Sequence, residues 1–313
     1  MRVRAFAKIN LSLRVLGARA DGYHELRTIF QSIALHDTLT FRPHRGPFRL
    51  TSDDPNCPSD CTNLIWRAAE RLWKAAGRSG PPRDIAVDLE KRIPLEAGLG
   101  GGSSDAAAAL RALGRIWRVD IGDVRAAAAE LGADVPYFFE GGTVLGLGRG
   151  DLLFPLIDYP AAWVVIVLPG FGVSTKEAFE WWDRDERSSS FDPSVLSGSS
   201  RAESRDVKLR MSEKADKRGM IDPLALSLSK GELVNDLEAP VAAYHPPIKR
   251  LAVRLRRAGA SHAAMSGSGS AVFGLFARRS DAAGAAASLA AASFRALLTK
   301  TLNRARYQRL AAT

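Results

Sequence analysis

Between Ile93 and Leu110 the chain reads "IPLEAGLGGGSSDAAAAL", which sets four glycines and two serines directly against a run of helix-forming alanines. Just upstream, "DIAVDLEKRIP" (Asp84–Pro94) alternates apolar and polar residues as a strand does, and Pro94 ends it. A strand, a glycine turn and a strong helix in that order demand a fold of mixed sheet and helix. Glycine removes the side chain, so the main chain can come close to another group. The free N–H groups and the dipole at the start of the following helix favour an anion at that spot. Ser103 and Ser104 add hydroxyl donors.

Several known phosphate loops fail here. A P-loop needs lysine after its closing glycine, and Ser103 follows Gly102. Counted from Gly98, the third glycine of a dinucleotide fingerprint falls on Ser103. The chain has neither the H-R-D nor the D-F-G of protein kinases. Two readings remain: an anion-binding turn that opens a helix, or a flexible turn capped by Ser103.

At 313 residues the chain has room for two domains of roughly 150 residues each. With 46% hydrophobic and 25% charged residues it has an ordinary globular mix. Its best apolar run, "AAWVVIVL" (Ala161–Leu168), falls far short of the roughly 20 residues of a membrane helix and reads as a buried strand. "MRVRAFAKINLSL" lacks the apolar core and cleavage site of a secretory signal, so a cytoplasmic location is expected. Cys57 and Cys61 are too few for a disulfide framework or a structural zinc and read as reduced, non-catalytic thiols. A net charge of +10 draws anionic partners, nucleic acid or phosphorylated metabolites. Part of that charge lies in the tail "FRALLTKTLNRARYQRL", which reads as a solvated, frayed basic helix.

Along the chain, "RVRAFAKINLSLRVLG" reads as a strand, and "ADGYHELRTIFQSIALHDTLTF" as an Asp-Gly turn leading into another. "TNLIWRAAERLWKAAG" has helical spacing, with Thr62 or Asn63 as its cap and Gly77 as its stop. A helix is expected over Ser104–Leu113, then a shorter one at "IGDVRAAAAELG", then a turn and a hairpin. From Arg184 to Gly231 serines and charges of both signs dominate without a period, which predicts a mobile surface insertion. Beyond it come a helix pair broken at Pro246–Pro247, a strand–glycine turn–strand unit and an alanine-rich helix.

"PLEAGLGGGSSDAAAAL" resembles the phosphate-binding motif of the GHMP kinase superfamily. "AKINLSL" (Ala7–Leu13) is similar to that family's N-terminal motif and "MSGSGSAVFGLF" (Met265–Phe276) to its C-terminal glycine motif, in the right order. "DGYHEL" and "LGADVPYFFEGGTVLGLGRGD" extend the resemblance over nearly the whole chain except Arg184–Gly231. It implies an α+β, two-domain GHMP kinase fold with the active site in the interdomain cleft. Residues 1–157 would carry the phosphate loop and catalytic pair, and 158–313 the C-terminal domain with the insertion at 184–231. It also implies ATP and Mg2+ as cofactors, and transfer of phosphate to the 2-hydroxyl of an erythritol borne on a cytidine diphosphate, in non-mevalonate isoprenoid synthesis. The expected partner is that small molecule, with no nucleic acid or membrane, and a monomer or weak homodimer.

Phosphoryl transfer to an alcohol needs a hydroxyl relieved of its proton and charge relief on the phosphoryl oxygens. The resemblance makes Asp134, in "GADVP", the base and sets Lys8 beside it. An ammonium there keeps the carboxylate ionised and steadies a developing alkoxide. Taken alone, Asp134 reads equally well as a turn cap. On the substrate side the resemblance gives the cytidine to Tyr23 and His24, the erythritol end to Asn10, and the second face of the cytosine to Phe179 with Thr175 nearby. Tyr23 as a core aromatic and His24 as a structural histidine are the alternatives. For ATP it implicates Pro94, Gly98, Leu99, Gly100, Gly101, Gly102, Ser103 and Ser104, with Asn63 and Lys91 bordering the adenine. Asn63 as a helix cap and Lys91 as a surface charge stay open. The glycines of the loop are read as clearing space for a triphosphate. Gly267 and Gly269 are expected to bring the C-terminal motif close to that loop. A kinase acting on a small alcohol such as homoserine is the rival within enzymes, but it gives an aromatic platform nothing to stack on. A basic nucleic-acid-binding protein is the rival outside them, without a recognisable module.

Overall fold

The computed structural model describes residues 1–188 and 233–312. Two long strands, β1 (Arg2–Ala18) and β2 (His24–Pro47), form an antiparallel pair closed by a turn at Arg19–Tyr23. Strand β2 owes its length to serving two partners in succession on its other edge. Leu26–Gln31 pairs with β5 (Thr143–Gly148), and Thr38–Pro43 with β4 (Arg83–Glu90). A short β3 (Arg49–Ser52) joins β4 in parallel, and β6 (Leu152–Pro155) closes a hairpin with β5. A second sheet holds β7 (Trp163–Leu168), β8 (His262–Met265), β9 (Val272–Phe276) and β10 (Arg295–Lys300) in the order β10-β7-β9-β8, all antiparallel.

Each sheet is buried on both faces. On the first, Phe30, Leu39, Val87 and Val144 face helices α1 (Leu64–Ala75), α2 (Gly101–Trp117) and α3 (Ile121–Leu131). Their neighbours Ile29 and Leu145, with Ile9 and Leu11, face the second sheet, meeting Val164, Ile166, Phe273 and Leu275. The opposite face of that sheet, through Val165, Val167 and Val272, packs on α5 (Thr175–Ser188), α6 (Glu238–Tyr244), α7 (Pro247–Arg257) and α8 (Arg279–Ala291). Helix, sheet, sheet and helix are thus stacked. This double burial is why "AAWVVIVL" is apolar without alternation. No helix of the described residues is long and apolar enough to cross a membrane.

Three expectations need correction. The helix after the glycine run begins at Gly101, not Ser104, and continues to Trp117. Gly100 stands at its cap, so the glycines are partly helix. Second, Arg184–Ser188 continue α5, whose Ala178, Phe179 and Trp182 pack inward; residues 189–231 of the expected insertion lie outside the described residues. Third, the basic tail is not a frayed helix. Arg295–Lys300 pair with β7 along its whole length, and α9 (Arg304–Ala311) docks through Leu302, Tyr307 and Ala311 beside Phe6. Its arginines hid three apolar anchors.

Candidate active site

Lys8 and Asn10 lie two residues apart on β1 and share a face, as alternate strand residues do. Lys8 is only 4% exposed, and an ammonium so deep needs partners. It has them: Nζ donates to Asn10 Oδ1 at 2.7 Å and to the Gly98 carbonyl at 3.0 Å, and lies 3.5 Å from Asp134 Oδ2. Asn10 is itself fixed, because its Nδ2 donates to Thr28 Oγ1 at 2.7 Å and that hydroxyl donates to the Ser12 carbonyl. Asp134 sits on the turn after α3, where Val135 N–H donates to the Gly132 carbonyl. Its side chain is 34% exposed, so a carboxylate open to solvent faces a buried ammonium.

Gly98 and Gly100 both take left-handed backbone, at φ 70°. A Cβ on Gly98 would stand 2.0 Å from the Ser266 carbonyl oxygen, and one on Gly100 2.8 Å from Phe138 Cζ. These two glycines therefore let protein approach protein, a different reason from clearing room for a ligand. The 266–269 turn comes in from the other side as expected: a Cβ on Gly267 would meet Asn10, Gly98 and Lys8 at 3.2 Å. The Gly98 carbonyl accepts from Lys8 Nζ and from Ser266 Oγ, each at 3.0 Å. Among the described residues the amides of Gly98 to Ser103 donate to no main-chain carbonyl, as befits a helix start. Ser104 stands apart. Its N–H donates to Gly100 O, its Oγ donates to Phe6 O at 2.7 Å, and it is buried, so it has no donor left for a ligand.

Lys91 and Asn63 each already have protein partners. Asn63 caps α1 by accepting from Ile65 N–H, and its Nδ2 donates to the Pro58 carbonyl. Lys91 is no surface charge either: its Nζ donates to Asp37 and to Asp105 Oδ2 at 2.9 Å, beneath the first turn of α2. Burial alone would lower its pKa, but Asp105 and Asp37 hold it above the ordinary lysine value. Burial pushes the Asp105 carboxyl well up, with Lys91 opposing, and its Oδ1 has no partner.

The far end is built from side chains. Tyr23 is 55% exposed, with the Arg149 guanidinium 5.0 Å from its ring centre. Arg149 is held by Asp151 through Nε and Nη2. His24 stacks on Phe179 at 4.6 Å and 16°, and its Nε2 donates to Asp183 Oδ1 at 2.9 Å. The imidazole thus occupies one face of Phe179, where a base was expected. Thr175 opens α5 and shares a hydrogen bond with Ser268.

Of the residues expected at the site, all but Asn63 and Ser104 line one cavity of about 1020 Å3. Thr28, Arg149 and Asp183 also line it and were not foreseen, since they lie outside the glycine run; Glu96, inside that run, lines it too and was not singled out. Among the described residues no group of three or more His, Cys, Asp and Glu is clustered to hold a metal. The cavity brings together a carboxylate, an ammonium, unpaired amides and exposed aromatics, which suits phosphoryl transfer to an alcohol.

Comparison with known proteins agrees. Residues 63–142 match the GHMP kinases N terminal domain and 219–296 the GHMP kinases C terminal domain. A 4-diphosphocytidyl-2-C-methyl-D-erythritol kinase of Moorella thermoacetica is 39% identical over 300 residues, covering 95% of this chain and 98% of that protein. One from Solibacter usitatus is 44% identical over 283 residues, covering 88% and 80%. A crystal structure of 4-(cytidine 5'-diphospho)-2C-methyl-D-erythritol kinase superposes with a TM-score of 0.74 at 34% identity, covering 96% and 99%. A homoserine kinase from Cytophaga hutchinsonii shares the fold alone, with a TM-score of 0.65 at 18% identity, covering 96% and 95%. The chain belongs to the GHMP kinases, within the 4-diphosphocytidyl-2-C-methyl-D-erythritol kinase family.

Proposed function

We propose that the protein transfers the γ-phosphoryl group of ATP to the 2-hydroxyl of 4-diphosphocytidyl-2-C-methyl-D-erythritol, a step of non-mevalonate isoprenoid synthesis. The observation that carries this reading is the 3.5 Å approach of Lys8 and Asp134 beside the unpaired amides of the glycine loop, in one cavity with Tyr23.

Asp134 takes the hydroxyl proton as the oxygen attacks. Lys8 steadies the charge shared between that oxygen and the transferring phosphoryl group. Asn10, fixed by Thr28, orients the erythritol end. Pro94 and the amides from Gly98 through Ser103, Leu99 included, receive the phosphates. Magnesium would arrive with the nucleotide and supply charge relief to its phosphates, with the Ser103 hydroxyl beside the loop amides as the protein group that would hold it. Lys91 serves as a pinned cation under the start of α2, in place of an adenine contact. The cytosine stacks on Tyr23, while His24, Phe179 and Thr175 close the other wall.

We take the domain boundary to lie at 157/158, the protein to be a cytoplasmic monomer or weak homodimer, and nucleic acid to be no partner. ADP release, followed with ATP and either the cytidine substrate or homoserine, tests the assignment. Turnover with the first and none with the second is expected, and the reverse overturns it.

A further inference from the structure

The C-terminal helix has no place in the chemistry above, yet it is tied to the back of the segment that bears Asp134. After Asp134 the chain makes one helical turn, α4 (Tyr137–Glu140). The carbonyl of Phe138 in that turn accepts two hydrogen bonds, from side chains on two different helices. Arg111 Nη1 on α2 donates at 2.6 Å, and the buried Tyr307 hydroxyl on α9 donates at 2.6 Å. Both lone pairs of the oxygen are thereby used. The ring of Phe138 is fully buried behind Gly100 and the Lys8 stem, both of which line the cavity. A Cβ on Gly100 would touch Phe138 Cζ at 2.8 Å and the stem of Lys8 at 3.1 Å, so ring, glycine and lysine are packed together.

Room for this arrangement has been made deliberately in the backbone. Gly141, at φ 65°, lies under the Tyr307 ring, and a Cβ there would come within 2.0 Å of Tyr307 Cδ1. Gly142, at φ 72°, lies under Arg304, whose Nη2 donates to the Thr143 carbonyl and whose N–H donates to Asp158. One continuous set of contacts runs from α9 through Phe138 to Gly100 and Lys8, and Asp134 is four residues before Phe138, on the turn that leads into α4.

We propose that α9 holds Asp134 in register with Lys8 through the Phe138 carbonyl, which makes Tyr307 and Arg111 positioning residues for the transfer step. The inference rests on Asp134 being the proton acceptor. A carboxylate displaced from the acceptor hydroxyl leaves nucleotide seated but lets water compete for the phosphoryl group. The loss therefore falls on turnover and on coupling, with substrate capture spared.

The test uses the full chain and measures ADP released and cytidine substrate phosphorylated in the same reaction. Tyr307→Phe keeps the ring over Gly141 and removes only the hydroxyl. Its kcat for the acceptor is expected to fall about tenfold, with both KM values within about twofold of the parent and a larger share of ADP released without phosphorylated acceptor. Arg111→Met asks the same question from α2, should the first variant fail to fold. Arg309→Ala, exposed on α9, is the control expected to change nothing. Parent-like kcat and coupling in folded Tyr307→Phe or Arg111→Met overturns the proposal, as does a fall in kcat with coupling intact. Full turnover in Asp134→Ala would instead overturn the reading of Asp134 and take this inference with it.

Discussion

At one end of the cavity the groups are held by main chain and buried partners, while at the other recognition is left to aromatic side chains, one of them, Tyr23, open to solvent. Lys8 is fixed by Asn10 and Gly98 before any ligand arrives, and a side chain at Gly98 or Gly100 would collide with Ser266 or Phe138. Tyr23, by contrast, projects from a turn with the Arg149 guanidinium over its ring, and the His24–Phe179 stack is held by Trp182 edge-on to His24 and by one hydrogen bond to Asp183. Phosphoryl transfer tolerates little misplacement, so its end is preorganised. Capture of a nucleobase tolerates more, because stacking is broad and weakly directional.

The sharpest way to break this contrast is Asp134→Ala. It should cost roughly 10³-fold in kcat, on the order of 4 kcal/mol, with nucleotide affinity largely intact, and steady-state kinetics with a nucleotide titration checks both. Gly98→Ala comes next. Left-handed backbone and the close Ser266 carbonyl should together cost about 3 kcal/mol of folding stability, read from a denaturant midpoint, whereas no single change at the base end should approach that. Tyr23→Ala should raise KM for the cytidine substrate about tenfold, near 1.4 kcal/mol, with kcat and KM for ATP little changed. Asp183→Asn keeps an oxygen for His24 and should raise the same KM only about twofold; a larger effect than that of Tyr23→Ala would mean the contrast is drawn in the wrong place.

The sequence made the preorganised end readable because its parts are local. A glycine run announces a backbone shape, and an "AKIN" strand and a "GADVP" turn each add one charged group to theirs. The periodicity of apolar residues likewise located most strands and helices, though not β3, α4, α5 or β10. What could not be read were contacts between distant elements. Asn63 and Ser104 carry suitable polar groups, but α1 and the Phe6 carbonyl take them up. The partners of Lys91 lie at Asp37 and Asp105, and those of Tyr23 and His24 at Arg149 and Asp183. In the tail, counting charge obscured Tyr307, whose one ring anchors the helix.

The polarity of the glycine loop has a further consequence. Its Gly98 carbonyl is drawn backwards by Lys8 and Ser266, while the neighbouring N–H groups are left without main-chain acceptors. In deuterated buffer the Gly98–Ser103 amides should therefore lose their protons quickly in the free protein and slowly once a nucleotide is seated. The Ser104 amide, already bonded to Gly100, should be slow in both. The loop thus carries its own isotopic record of occupancy, legible even in a variant that cannot turn over.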